Sequence, residues 1–530
     1  MKTLSTLVTF VTLFLCLPPI THAATNTWDG GGADNLWSNA TNWVGDVAPV
    51  AGNDLQFPEN AAQLSNVNDF PSGTGFHSLT FTRTNSGVAY NVSGNSIVLS
   101  AGLATIGAGV HTFSPTITLA APQAISVDTG GTLTPGVIDN GGNDLTISGA
   151  GVANFSSTIS GAGGLIKTGS GNLSLRVANS YLGVTTILQG SVTLRNGFSL
   201  GATNGGTILT NDAVIQVFTG IAVAEPLTIS GGAATASLVN ISGTNSWDGP
   251  IFLAGSSSSA QIALSSGLFV INGLISGSGF TKSGLGPLAL NANNTYTGET
   301  HVSGGTVLVN GSQPLSPVTL DNASTVVLGG TGVVGTVTAS GGTMNPGASP
   351  GILSTSNLVF NASTTNKFEL NGTTPGSGYD QLNVTGSVTL GGSVLNVVLG
   401  YTPAIGDSFT IINNDGSDAI TNQFNGLANN TIFAVSGLPF QISYAGGGGN
   451  DVVLTRVRPA SVVSNAANAG PNFHFQVSGI ANVNYVIEAS TNLANWLPIS
   501  TNDSGPTGVF TFIDSGTSQF TNRFFRVATP

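Results

Sequence analysis

Charge is what this sequence has least of. Of 530 residues, 11 are Lys or Arg and 23 are Asp or Glu, so 6% are charged, against ~25% in an ordinary globular chain. With a formal charge of −12, the scattered cations cannot form the basic patch that nucleic-acid binding requires, which excludes DNA and RNA as partners. Four Lys and five Glu are too few to supply the polar faces of soluble helices, so helix is excluded as the main element. The single cysteine, Cys16, falls in a segment expected to be removed. A mature chain then has no disulfide framework, no thiol nucleophile and no thiolate metal site. Beyond that segment no apolar run reaches the ~18 residues of a membrane anchor. Disorder is excluded as well, because 40% of the residues are apolar and few are charged. What is abundant is glycine, with 74 residues.

Residues 1–23 read as a secretory leader. Lys2 supplies the positive start, Leu4 to Leu17 the apolar stretch, and Thr21-His22-Ala23 a small-x-small cleavage site. Leu15, before Cys16, is larger than the residue a lipoprotein signal prefers. The mature chain starts at Ala24. Residues 24–75 then hold Trp28, Trp37 and Trp43, three of the five tryptophans. They are expected to cap the apolar end of a repeat stack, the other reading being an aromatic face for a sugar.

From 76 to 457 the texture is uniform: short strands rich in Val, Thr, Ile and Leu between Gly-Gly, Asn-Gly and Ser-Gly turns, as in GGTVLVNG (304–311). Two stretches, near 159–197 and 275–311, align. Lys167, Gly169, Gly171, Leu173, Leu175, Asn179, Tyr181 and Gly183 match Lys282, Gly284, Gly286, Leu288, Leu290, Asn294, Tyr296 and Gly298, all at an offset of 115 residues. Units that recur in this way bury a core only by stacking, which predicts a parallel β-solenoid. With ~20–25 residues per coil, about 15–19 coils are expected, and a spacing of ~4.8 Å makes a rod about 70–90 Å long. After Arg458 the strands lengthen and become aromatic, as in FHFQVSG (473–479) and VFTFID (509–514). They predict a small antiparallel β-sandwich over 459–530, joined by Pro459-Ala460-Ser461.

KTGSGNLSL followed by Asn179-Ser180-Tyr181-Leu182-Gly183, and KSGLGPLAL followed by Asn294-Thr295-Tyr296-Thr297-Gly298, resemble the autotransporter-associated β-strand repeat found in passenger domains. GGTMNPGASPGILS (341–354) and YDQLNVTGSVTLGG (379–392) are similar to further passenger segments. The resemblance implies an all-β chain, a right-handed parallel β-helix that is exported and displayed or released, with no catalytic residues to carry over. An autotransporter ends in a membrane barrel, whereas about 70 residues follow the solenoid here, too few for such a barrel. The last segment, Glu488 to Trp496 and Arg523-Phe524-Phe525-Arg526, resembles small β domains appended to secreted bacterial proteins.

Catalytic constellations are scarce. The five histidines, His22, His77, His111, His301 and His474, have no metal-binding spacing. Between 84 and 366 the only bases are Lys167, Arg176, Arg195 and Lys282, and the two lysines occupy equivalent repeat positions, which favours a structural role. Asp415 and Asp418 read as a turn. GGGGNDVVL (446–454) fits a calcium-binding nonapeptide with Asp451 as ligand, but only one copy is present, and a solenoid-ending turn capped by Asn450 and Asp451 is the other reading. The expectation is a non-catalytic protein without cofactor, secreted or on the cell surface. It is adhesin-like or structural and binds extracellular polysaccharide or other surface material through many weak contacts. The alternative is a carbohydrate-active protein using Trp28, Trp37 and Trp43 or a solenoid groove.

Overall fold

A computed structural model describes residues 23–528 apart from 88–89, 211, 232–235, 256–259, 348 and 459. The expected leader with Lys2, Cys16 and His22, and Pro459 of the expected linker, lie outside the described residues. The chain is all-β: short strands, with single turns of 3₁₀ helix at Ala40–Asn42 and Thr517–Gln519. Val, Ile and Leu alternate with Thr and Ser, so one side of each strand is apolar and buried. Leu145–Ser148, for example, buries Leu145 and Ile147 and turns Thr146 outward.

Parallel pairing stacks these strands into a three-faced solenoid. The first face runs from Thr25–Thr27 to Ile275–Gly277. It continues through backbone contacts at 294–297 into Ser312–Gln313 and the later coils up to Ser408–Asn414. The second face is one sheet of 16 strands, from Ser65–Asn68 to Val388–Thr389. The third begins with Ile117–Leu119, Ile138–Asp139 and Ile159–Ser160 and becomes a nine-stranded sheet from Ala222–Val223 to Val394–Leu399. At ~4.8 Å per strand the second face alone is about 70 Å long. Gln123, Leu145, Leu165, Thr185, Thr207, Leu227, Ile251 and Ile275 stand in one column, which sets a coil of 20 to 24 residues there.

That register explains the offset of 115. Five coils carry Leu165 to Ile275, and the remaining residues carry the pattern round to the next face. Lys167 lies between Ile147 and Ile187 on the first face, whereas Lys282 lies between Ile262 and Val302 on the second. The repeat is therefore a coil-stacking unit indifferent to which face it begins on.

Both ends differ from the expected boundaries. Stacking starts at Thr25–Thr27, inside the expected cap. At the other end the parallel pattern stops before 457: Ser408–Asn414 pairs antiparallel with Asp451–Arg456, which pairs with Leu438–Gly446 and then Ile432–Val435. Antiparallel strands laid on the last coil cover the edge of the first face that would otherwise stay open. Beyond them, Val462–Ala469, Asn472–Ser478 and Val509–Asp514 form one antiparallel sheet, and Leu497–Asp503, Asn484–Ser490 and Phe524–Ala528 a second. The two pack on Phe475, Val477, Ile487 and Phe512.

Candidate functional site

The tryptophans close the first coil. Trp28, Trp37 and Trp43 are each 0% exposed, meeting edge to face at 5.3 Å (Trp28–Trp43) and 6.3 Å (Trp37–Trp43). Their indole N–H groups donate inward, to Gln63 O at 2.7 Å, Asn66 Oδ1 at 2.8 Å and Trp37 O at 2.8 Å respectively. This corrects the reading of an aromatic sugar-binding face, since no ring face is left for a ligand. The reason is geometric: the first coil has no coil before it, and large rings bury its apolar end with their polar edges satisfied. Gln63 Nε2 donates to the carbonyls of Gly30, Gly32 and Asp34 at 3.0, 2.9 and 3.0 Å, which holds the TWDGGG segment over this end.

The repeat residues satisfy one another. Lys167 and Lys282 are 1% and 0% exposed. The Lys167 ammonium donates to the carbonyls of Thr168, Gly169 and Gln189 at 2.7, 2.6 and 3.2 Å, and that of Lys282 to Gly284 and Gly304 at 2.7 and 2.6 Å. Each lysine thus ties the turn of its own coil to that of the next. Burial pushes both down to about 8. Room for the ammonium comes from Gly190 and Gly305, both at positive φ, where a Cβ would stand 2.8 and 2.6 Å from the lysine nitrogen. Tyr181 and Tyr296 are buried and share a hydrogen bond with Thr185 and Thr300 at 2.6 and 2.7 Å. Burial raises both phenols, that of Tyr296 to about 12. Asn179 and Asn294 accept from the amides of Ile159 and Ile275 at 2.8 Å. Gly183 and Gly298 touch the preceding coil so closely that a Cβ would lie 2.5 and 2.3 Å from the amide nitrogens of Gly164 and Gly279. Sequence comparison missed the roles of Thr185 and Thr300, and of Gly190 and Gly305. Their signal was the same offset of 115.

The remaining candidates do not converge. Asp451 is 6% exposed and accepts from the amide of Asn414 at 2.9 Å. Asn450 donates to Asp415 O at 2.9 Å rather than capping an amide with its own oxygen. Among the described residues no three His, Cys, Asp or Glu side chains stand together as a metal site. His301 and His77 pair with Asp321 and Asp54, each at 2.8 Å, on the surface. His111 is fully buried between Phe81 and Tyr90, with ring centroids 5.2 and 6.0 Å away, and burial holds it near 4 and therefore neutral. Two acids missed in the sequence are perturbed. Glu225, 2% exposed, accepts from Thr207 Oγ1 at 3.1 Å, and burial raises it to about 7. Asp380, 1% exposed, accepts from the amides of Gly351 and Glu369 at 2.8 Å, and burial raises it to about 6. They belong to different stretches of the stack, and each is bound to the protein rather than aimed into a cleft.

Residues 165–194 and 280–309 match the family described as Passenger-associated-transport-repeat. These are the two repeats read from the sequence, and the resemblance stated there holds. Over 306 residues the chain is 28% identical to "Adhesin BmaC autotransporter" of Brucella suis biovar 1 (strain 1330), which covers 55% of this chain and 8% of that protein. The chain therefore spans less than a tenth of the length of this curated relative. Among solved structures, the Haemophilus influenzae Hap adhesin aligns with 78% of this chain and 65% of its own, at 12% identity and a TM-score of 0.24.

Proposed function

We propose that this chain is an adhesin-like rod, secreted or displayed on the cell surface after removal of residues 1–23, that binds extracellular material through many weak contacts. One observation carries the reading. Of the residues repeated most faithfully, Lys167 and Lys282 reach Gln189 and Gly304 on the next coil, Asn179 and Asn294 accept from the amides of Ile159 and Ile275 one coil back, and Tyr181 and Tyr296 are buried and bonded to Thr185 and Thr300 four residues on, so what repeats is the means of building length. The outside of that length is polar and almost uncharged, a surface suited to multivalent contact and not to holding one small substrate. The adhesin named among the relatives supports the same reading.

Fractionation of the native cells with an antibody to this protein tests location, and retention of the purified mature chain on such cells tests binding. The expected result is signal at the surface or in the medium, with saturable retention that falls when the rod is shortened by whole coils. Antigen confined to the cytoplasm, or no retention at any concentration, overturns the proposal.

A further inference from the structure

One corner of the rod differs from the others. After successive strands of the third face stand Asp248, Asn272, Asn291 and Asn310, one per coil and all exposed. Asn272 Nδ2 donates to Asp248 Oδ1 at 2.7 Å, Asn291 Nδ2 to Asn272 Oδ1 at 2.9 Å, and Asn310 Nδ2 to Asn291 Oδ1 at 3.0 Å. The result is an unbroken amide ladder along the rod. Each asparagine uses one N–H in the ladder, and its second N–H and an oxygen lone pair have no partner among the described residues. The corner is tightly stacked: at Gly273, just after Asn272, a Cβ would stand 1.8 Å from the carbonyl of Gly249 on the preceding coil. The amides are thereby held at the coil spacing.

Two residues before each asparagine a second column runs beside the first. Val270, Ala289 and Leu308 are in register. Val270 and Leu308 are half-buried, alternating with the inward residues of Phe269–Ile271 and Thr306–Val309, and Ala289 between them is 6% exposed, a low step in the track. An apolar track and a track of free amide donors and acceptors therefore lie parallel over three coils. The nearest cation in sequence, Lys282, is buried and bonded to carbonyls.

We infer that this strip, Asn272, Asn291 and Asn310 beside Val270, Ala289 and Leu308, is a binding site for an uncharged polysaccharide chain lying parallel to the rod axis. This rests on the surface-binding reading above and names its ligand class. Coils ~4.8 Å apart match about one sugar residue of an extended chain, so hydroxyls of successive sugars meet successive amides. The apolar C–H face of each ring covers the Val-Ala-Leu track. An anionic glycan would find no cation here and would meet Asp248 at the end of the ladder.

The test is co-sedimentation of the mature chain with cellulose, chitin and mannan as neutral probes and polygalacturonate as the anionic one. Saturable retention on at least one neutral probe is expected, little changed by salt. Asn291→Ala weakens it about fivefold, as expected for losing one or two hydrogen bonds. Asn272→Ala with Asn291→Ala, or Val270→Lys alone, removes it, while the melting temperature stays close to that of the parent. Equal retention on polygalacturonate, or retention untouched by variants that melt like the parent, overturns the inference. A chain retained on cells but on no neutral probe sinks this inference alone, and one retained on neither sinks the surface-binding reading as well.

Discussion

The solenoid and the C-terminal module draw on the same strand-forming residues but bury them differently. In the solenoid one apolar cluster runs without a break from Trp28 to Leu454. The module's core cluster is four buried residues, Phe475, Val477, Ile487 and Phe512, with Phe473, Phe510, Phe525 and Val527 packed around them. Nine of the 28 exposed large apolar side chains among the described residues fall in the module, Leu497 and Ile513 at 68% and 60% among them. Ionisable groups are held differently as well. The solenoid buries Lys167 and Lys282 on backbone carbonyls, whereas the module pairs its buried Asp514 with Arg523, the side chains 10% and 12% exposed, and leaves the Arg526–Glu488 pair partly open to water. Stacking gives every interior residue neighbours on both sides, so a solenoid can satisfy a buried ammonium with turn carbonyls of two coils, while a two-sheet sandwich of about 70 residues meets its buried carboxylate with an opposite charge.

The largest expected effect tests whether the two regions are independent. Tyr296 is 0% exposed and bonded to Thr300. Tyr296→Ala leaves a cavity, with Ser316 at 2.9 Å as the remaining partner of the Thr300 hydroxyl, and is expected to destabilise the solenoid by about 3–5 kcal/mol. In calorimetry of the whole mature chain the solenoid transition moves down and that of the module stays where it was. A common shift of both transitions would break the comparison, since it would mean that the module folds only on an intact rod. Their contact gives little reason to expect that, the amide of Asn484 donating to Gly437 O at 3.0 Å being the main hydrogen bond across the junction.

The second effect is on pH dependence, and it belongs to the solenoid. Glu225 is raised from 4.5 to about 7 in the fold. Its contribution is therefore fully present below pH ~4.5 and is lost as pH rises through 7, at a cost of about 3 kcal/mol. Glu225→Gln keeps an acceptor for Thr207 and is expected to stabilise the solenoid by about that amount at pH 8 and by nothing at pH 4. Asp380, raised to about 6, adds a slope of the same sign between about 4 and 6. His111, lowered to about 4, opposes both, because its contribution is lost as pH falls from 6.5. The difference between parent and variant, measured by denaturant unfolding across pH, isolates Glu225. A variant curve parallel to that of the parent would refute the assignment.

How much of this was legible in the sequence depended on repetition. Lys167 and Lys282 were matched by position, and their equivalence argued for structure over catalysis. The face each occupies was not legible, since an offset of 115 does not say how many residues make a coil. Glu225 and His111 were invisible as special residues: neither recurs at the repeat offset, and a single acid in a connection or imidazole in a strand gives no sign that its coil closes over it. The tryptophans carried the opposite ambiguity. Three rings close in sequence favour a cap but also suit a sugar platform, and their 0% exposure separates the two. The antiparallel end of the rod was missed because strand alternation has the same period of two in either direction.

The third effect, again confined to the solenoid, concerns the lysines. A folded value near 8 against 10.5 unfolded means that their contribution is absent at pH 7 and grows as pH rises from 8 to 10.5. The tyrosines then reverse the trend: Tyr181 and Tyr296 are raised, so their contribution is lost above pH ~10. A stability maximum between about pH 9 and 10 is expected for the solenoid transition. Replacing both lysines by Met flattens the rise below it and, by leaving the turn carbonyls without donors, costs about 1–3 kcal/mol per site at that maximum. A rise that persists in the double variant would show that other groups cause it.

The smallest effect lies in the module and sharpens the contrast. Arg526 Nε sits 2.5 Å from Glu488 Oε2, and its guanidinium lies 4.5 Å from the centroid of the Trp496 ring. Both contacts look strong in distance, yet the Arg526 side chain is 51% exposed, so water and salt compete for its charge. Arg526→Gln is expected to lower the module transition by no more than about 1 kcal/mol. Most of that difference should disappear at 1 M salt, where screening falls to ~3 Å, and the solenoid transition should not move. A loss several times larger, insensitive to salt, would mean that this pair is shielded from water as Arg523–Asp514 is and as the solenoid shields its lysines. The two regions would then differ in size of core and not in how they treat charge.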